Sequence, residues 1–259
     1  MNRQQQFAVA ARRIAAACGL FGLMPIAPHA ALAQDIGRAV GQIARPDQSR
    51  AAVSPLARTQ ESASATREKT GTAFFVDASG DMLTVRHAAE GCIGLIVAKE
   101  GRAVRAHVLA LSADADLALI KVPRTLGLAA VFPRQAGVSA NDMVFASAYD
   151  SLRASRGMLV NATIASNQAS SAGSLLIDSD ITFGASGAPV LDGRGLVQGI
   201  VSRKVGDRRV IAVDAGQAKV FLSAHGIRFE EDDRAQIAGS ASRANRAASI
   251  SARVTCLQN

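Results

Sequence analysis

The stretch Asp178-Ser179-Asp180-Ile181-Thr182-Phe183-Gly184-Ala185-Ser186-Gly187-Ala188-Pro189-Val190 sets one serine among small residues, just before an apolar strand start at Val190-Leu191. A serine hydroxyl is a weak nucleophile. For acyl transfer it needs a base to take its proton, an acid to orient that base, and backbone donors for the developing oxyanion. Turns of the form Gly-x-Ser-x-x-Pro are common, so the loop carries this reading only if the rest of the chain supplies those partners.

Upstream, Thr70-Gly71-Thr72 opens the ordered part of the chain. Residues 73–76 are strand-like, Asp77-Ala78-Ser79-Gly80-Asp81 is a turn cluster, and residues 82–85 form a second strand, together a β-hairpin. Arg86-His87-Ala88-Ala89-Glu90-Gly91 then places a histidine at a strand end, followed by one helical turn stopped by glycine. Further short apolar runs occupy 94–98, 103–111 and 117–122, and a second series occupies 143–148, 158–164, 174–177, 188–191, 196–202 and 210–213. Short strands at this spacing predict a barrel or sandwich rather than alternating βα units. Residues 123–133 read as the connection between two halves. Asp214 to Gly226 reads as a closing helix with Asp214 as its cap and Ala218, Phe221 and Leu222 facing inward. Residues 230–259 revert to polar, Ala/Ser/Arg-rich sequence and read as a tail.

Three positions meet the chemical requirement. His87 ends a strand, Asp116 opens one in Asp116-Leu117-Ala118-Leu119-Ile120-Lys121-Val122, and Ser186 sits in the small-residue loop. A neutral imidazole can take the serine proton and return it to a leaving amine, while a carboxylate fixes its tautomer and stabilises the imidazolium. Asp114 lies two residues away, but it reads as a turn residue, whereas Asp116 directly precedes Leu-Ala-Leu. His107, in an alternating run, and His225, near a helix C-terminus where a cation suits the dipole, read as structural.

The order His, Asp, Ser resembles that of trypsin-like serine proteases, most closely the bacterial HtrA/Deg branch. Three motifs carry the resemblance over residues 70–226: Gly71-Thr72-Ala73-Phe74-Phe75-Val76 through His87 to Gly91, then Asp116 to Val122, then Gly184 to Val190 with Asp178 upstream. The resemblance implies an all-β fold of two perpendicular six-stranded antiparallel β-barrels, at 70–130 and 131–229, with a short C-terminal helix. It implies His87 as general base, Asp116 as its orienter, Ser186 as nucleophile, and the amides of Gly184 and Ser186 as oxyanion hole. Glycine suits position 184 because its backbone can adopt conformations closed to other residues. Ser202 would support Asp116, and the backbone of Ser202, Arg203 and Lys204 would pair with substrate as an added strand.

Several residues depart from the family pattern. Ala185 replaces an Asn or Asp, so activation by pairing with a new N-terminus is not expected, and Ala188 replaces a glycine. No PDZ-like segment is expected after Gly226. Asp180, six residues before Ser186, stands where a carboxylate favours Arg or Lys side chains, whereas the HtrA branch usually prefers apolar ones. Arg203 or Arg209 could pair with Asp180 and fill the pocket, so basic and apolar preference both stay open.

Composition limits the other classes. The 259 residues suffice for one sizeable domain or two small barrels; 49% are apolar, with nine Phe, one Tyr and no Trp, so the core must be built from Val, Ile, Leu and Ala. The formal charge of +8 and a pI near 10.2 raise nucleic-acid binding, but the basic residues are scattered and aromatics for stacking are scarce, so none is expected. Residues 1–33 read as an export signal: a basic start with Arg3, Arg12 and Arg13, an apolar stretch, and Ala31-Leu32-Ala33 before Gln34. The general secretory route is favoured, with a twin-arginine route open, and the destination is periplasmic or secreted. Residues 34–69 read as a flexible arm, basic enough for weak contact with anionic surfaces. Cys18 leaves with the signal, and the remaining pair, Cys92 and Cys256, is expected to form a disulfide clamping the tail, two separate thiols being the alternative. No cofactor or metal is expected, the partners are protein or peptide substrates, and an oligomer is possible. An idle, protease-fold binding or scaffold protein is the competing reading.

Overall fold

The computed structural model describes residues 67–139, 141–155, 163–166, 173–237 and 242–259. The expected export signal and the arm up to residue 66 lie outside the described residues, as does the 158–162 part of the strand expected at 158–164. Among the described residues no helix is long and apolar enough to cross a membrane.

Strand β1 (Arg67–Phe75) turns back into β2 (Asp81–Thr84) with Phe74 opposite Leu83. The turn is built by Asp77, whose Oδ1 accepts from the amides of Ser79, Gly80 and Asp81 at 2.9–3.0 Å. Helix α1 (Arg86–Ala89) follows, then β3 (Gly94–Lys99), β4 (Arg102–Leu111) and β5 (Ala118–Lys121). A short β6 (Val131–Phe132) ends this half. The second half comprises β7 (Met143–Val144), α2 (Tyr149–Ala154), β8 (Thr163–Ser166), β9 (Ser174–Asp178), β10 (Pro189–Leu191), β11 (Val197–Lys204) and β12 (Arg209–Asp214). Helix α3 (Ala215–Ala224) is capped by Asp214, whose side chain accepts from the Gln217 amide, and buries Ala218, Phe221 and Leu222. Strand β13 (Glu230–Glu231) pairs in parallel with β6. Helix α4 (Arg243–Ile250) and strand β14 (Ser251–Gln258) complete the chain.

The first barrel is closed, in the order β1-β14-β3-β4-β5-β2. Its sixth strand is the C-terminal segment, and here the reading of 230–259 as a polar tail is corrected. Ala252, Val254 and Cys256 alternate inward and are fully buried, while Arg253 points out, the two-residue period of a half-buried strand. β14 pairs with β1 from Arg67↔Gln258 to Phe74↔Ser251, so β1 also begins before residue 70. Helix α4 turns Ala244, Ala247 and Ile250 to the core, and Ser242 caps it by accepting from the Asn245 amide. Cys92 and Cys256 are joined in a disulfide with a Cα–Cα distance of 5.2 Å, as expected.

The second layer is a six-stranded antiparallel sheet in the order β10-β11-β12-β9-β8-β7. Its edges meet at a single bridge, where Phe145 and Leu191 exchange two 2.8 Å backbone hydrogen bonds. The all-β expectation holds, but among the described residues this sheet is not a continuous closed ladder. β7 has two residues and β10 three, with a register shift at Val190/Leu191, too little strand for more than one bridge.

Candidate active site

His87 lies in α1, the single helical turn that leaves β2, and its ring is half exposed. Its Nδ1 lies 2.9 Å from Asp116 Oδ2, and its backbone amide donates to Asp116 Oδ1 at 3.2 Å. Asp116 ends the turn before β5, where the Ser112 amide donates to the Leu117 carbonyl and closes the loop. Asp114 faces a separate groove between this turn and α3.

The second sheet contributes the third partner. Ser202 Oγ donates to Asp116 Oδ2 at 2.6 Å. Ser202 is the unpaired residue at a register shift in β11, between Val201↔Ala212 and Arg203↔Ile211. A bulge re-aims a side chain that would otherwise alternate with its neighbours, and here it turns a buried hydroxyl toward the carboxylate. Burial by itself would raise the Asp116 carboxyl; the hydrogen bonds from His87 and Ser202 overcome it and hold the group at about 2. Asp116 is therefore an anion at any ordinary working pH.

The same bulge touches the serine. Ser186 Oγ donates to the Ser202 backbone carbonyl at 3.2 Å, not to the His87 ring. The loop around it depends on glycine at Gly184 and Gly187, with φ of +83° and +87°. At Gly187 space matters as well, since a Cβ would stand 2.0 Å from the Thr72 carbonyl oxygen and 2.4 Å from Thr84 Oγ1. Ala185 and Ala188 are absent from the residues with positive φ, and both methyls are buried in the core of the second sheet, which accounts for their being tolerated.

Within the loop the amide of Ala185 donates to Thr182, that of Gly187 to Val201 and that of Ala188 to Ala185. The amides of Gly184 and Ser186 have no protein acceptor among the described residues. They border a cleft of about 530 Å3 that also reaches His87, Asp180, Phe183 and Lys204. β12 pairs with one edge of Arg203 and Lys204, and no described strand covers the other, which leaves backbone groups free beside the cleft.

Of the expected residues, the structure brings His87, Asp116, Ser186, Gly184 and Ser202 together. Asp180 lies on the cleft wall, but its partner differs from expectation. Arg208, not Arg203 or Arg209, bridges two carboxylates, with Nη1 3.0 Å from Asp180 and Nε 3.0 Å from Asp178. Arg209 is paired as backbone opposite Asp178 in the sheet, and Arg203 and Lys204 are exposed at the end of β11. Sequence reasoning also missed Phe183, which stands fully exposed at the cleft, and Thr72, which is buried and hydrogen-bonded to the Gly184 carbonyl. Phe183 carries a signal in retrospect: a large aromatic in a run of small and polar residues three places before the serine.

A closed barrel and a second antiparallel sheet, with a His, an Asp and a Ser meeting where they adjoin, define a chymotrypsin-like protein. The chain belongs to the trypsin-like peptidase domain family, which it matches over residues 71–200. Among curated proteins it is similar to the uncharacterized protein y4bJ of Sinorhizobium fredii (strain NBRC 101917 / NGR234), 27% identical over an alignment of 201 positions that covers 72% of this chain. The chain spans about a third of that relative's length, 32%. Among solved structures it is similar to the serine endoprotease from Yersinia pestis, at 22% identity and a TM-score of 0.52, covering 60% of this chain and 56% of the other. It is also similar to the HtrA-type protease AlgW with a decapeptide, at 24% identity and a TM-score of 0.51, covering 60% and 50%. At these identities the likeness is one of fold.

Proposed function

We propose that the chain is an exported serine endopeptidase that cleaves peptide bonds through an acyl-enzyme. The observation that carries this reading is the hydrogen-bonded series from His87 Nδ1 to Asp116 and from Asp116 to Ser202, held beside Ser186. Asp116, an anion, fixes the Nδ1–H tautomer of His87 and leaves Nε2 as the basic nitrogen. Rotation of the Ser186 hydroxyl from the Ser202 carbonyl to Nε2 arms the nucleophile. Oγ then attacks the substrate carbonyl as its proton passes to His87. The amides of Gly184 and Ser186 receive the oxyanion. Collapse expels the amine, which takes the proton from His87, and water repeats the sequence on the acyl-enzyme with the same base. The free edge of Arg203 and Lys204 offers the substrate backbone a strand to pair with.

Specificity is proposed to be apolar. Asp180 is already paired with Arg208, and Ile181, Phe183 and Val210 give the cleft uncharged surface. Export is proposed from residues 1–33, and sequencing the N-terminus of the protein recovered from the cell envelope is expected to give Gln34.

Labelling by a fluorophosphonate probe tests the chemistry. We expect the folded protein to react and Ser186→Ala and heat-denatured protein not to. Labelling that survives Ser186→Ala, or none in the folded protein, overturns the reading. The second reading, an idle scaffold, has one observation in its favour: the Ser186 hydroxyl is turned toward Ser202. That reading expects no labelling while peptide binding persists.

A further inference from the structure

Thr72 is completely buried under the nucleophile loop, on β1, and no part of the chemistry above uses its side chain. Its hydroxyl has two partners with one possible assignment. The Tyr149 amide at 3.0 Å can only donate, so Thr72 Oγ1 accepts there and must give its own hydrogen to the Gly184 carbonyl at 2.7 Å. The Thr72 amide donates to the Ser186 carbonyl at 2.8 Å. The Thr72 carbonyl accepts from Thr84 Oγ1 at 2.7 Å, which holds β1 to β2, the strand that leads into His87.

Gly184 needs such a restraint. It sits at φ +83°, and a Cβ there would meet only Ala148 Cβ at 3.8 Å, so it is the backbone conformation, open to glycine, and not close packing that sets this position apart. The N–H of the Gly184–Ala185 peptide donates to the Thr182 carbonyl at a long 3.3 Å, and the shorter 2.7 Å bond from Thr72 to its carbonyl holds the other end, so the two together fix its plane and with it the direction in which the neighbouring Gly184 and Ser186 amides point. Oxyanion stabilisation depends on donors aimed in advance at where charge develops, so a tilt of this loop weakens the transition state more than substrate binding.

We propose that Thr72 is a positioning residue for the oxyanion loop, its hydroxyl holding the Gly184 carbonyl so that the Gly184 and Ser186 amides stay directed into the cleft. The inference rests on the serine endopeptidase reading. It is tested with Thr72→Val, which keeps the volume and removes the hydroxyl, and Thr72→Ser, which restores it. For a peptide ester substrate we expect Thr72→Val to lower kcat on the order of 10- to 100-fold with KM changed by no more than about twofold. Thr72→Ser should recover most of the loss. Affinity for a peptide aldehyde, which forms the oxyanion adduct, should fall in step with kcat/KM. Affinity for the uncleaved peptide, measured in a Ser186→Ala background, should not change. A merely structural role would lower thermal stability without this split. Should Thr72→Val not fold, Thr72→Ala removes the same hydroxyl from a smaller side chain and carries the same expectation. Wild-type kcat in either hydroxyl-free variant, or equal losses for aldehyde and uncleaved peptide, overturns the inference while wild-type fluorophosphonate labelling still stands. Absence of labelling in the wild type overturns the endopeptidase reading and this one with it.

Discussion

At the scale of single residues, the arrangement around Ser202 explains how two sheets share one site. Its hydroxyl donates to Asp116 and its carbonyl accepts from Ser186, so one bulged residue touches both the acid and the nucleophile of the proposed mechanism. Asp116 is thereby tied to the second sheet as well as to His87. Arg208 works in the opposite sense, because its ion pairs with Asp178 and Asp180 are largely exposed and therefore weak and salt-sensitive. A substrate guanidinium reaching Asp180 must compete with this internal one, a modest barrier but a continuous one. Arg208→Ala is expected to raise the ratio of cleavage after Arg to cleavage after Leu by about fivefold in a peptide library, a scale set by what exposed pairs contribute. The same change made together with Asp180→Asn should leave the ratio where Asp180→Asn alone puts it. A ratio that does not move in Arg208→Ala removes Arg208 from specificity.

At the scale of elements, the strands and turns near the site were legible because their signals are local. The turn at Asp77 to Asp81, the cap at Asp214 and the inward Phe221 and Leu222 follow from residue chemistry within a few positions. The bulge at Ser202 was not legible, because register depends on β12, ten residues on, and nothing in Val201-Ser202-Arg203 marks it. Helix α4 and strand β14 were missed for another reason. Their composition reads as polar, yet Ala244, Ala247 and Ile250 follow helical spacing and Ala252, Val254 and Cys256 alternate; period was the informative property and composition the misleading one. The junction between these two elements is held from a distance by Lys99 of β3. Its Nζ donates to the Ala248 and Ser251 carbonyls at 2.6 and 2.7 Å and sits 5.3 Å from the Tyr149 ring. α4 has no basic residue in its own last turn, so Lys99 supplies the cation that suits a helix C-terminus. Burial pushes the Lys99 amine down to about 8, opposed by Glu100 and assisted by Arg153. The unfolded chain keeps this proton up to about pH 10.4, so between the two values unfolding takes up a proton and rising pH favours the folded state. Denaturation of the wild type and of Lys99→Met at several pH values is expected to show the wild type gaining stability relative to the variant from about pH 8 to 10.4. Below pH 8 the variant should be the less stable by about 1–3 kcal/mol, since two carbonyls lose their donor. Parallel pH profiles would remove Lys99 as the titrating group.

At the scale of the whole molecule, the chain closes its first barrel with its last strand. β14 lies between β1 and β3, opposite Thr72 at Arg253, so the strand that seats the nucleophile loop is itself seated by residues about 180 positions later. The barrel therefore cannot be complete until the second sheet, α3 and α4 have been traversed, and the site's geometry depends on a contact of very long range. The Cys92–Cys256 disulfide spans 164 residues across this closure. In the chain-entropy account a bridge over so long a loop restricts the unfolded state by about 5 kcal/mol, and measured effects of removing native bridges run from about 2 to 5 kcal/mol. Cys92→Ser/Cys256→Ser, or reduction of the wild type, is expected to lower stability by an amount in that range. Because β14 abuts β1 directly, activity should fall before global unfolding, with fluorophosphonate labelling lost at lower denaturant than the circular dichroism of the strands. Under oxidising conditions the two transitions should coincide in the wild type. If labelling and strand signal still coincide once the bridge is gone, β14 is coupled to the nucleophile loop only through the stability of the whole domain, and the disulfide guards the fold without specially guarding the site.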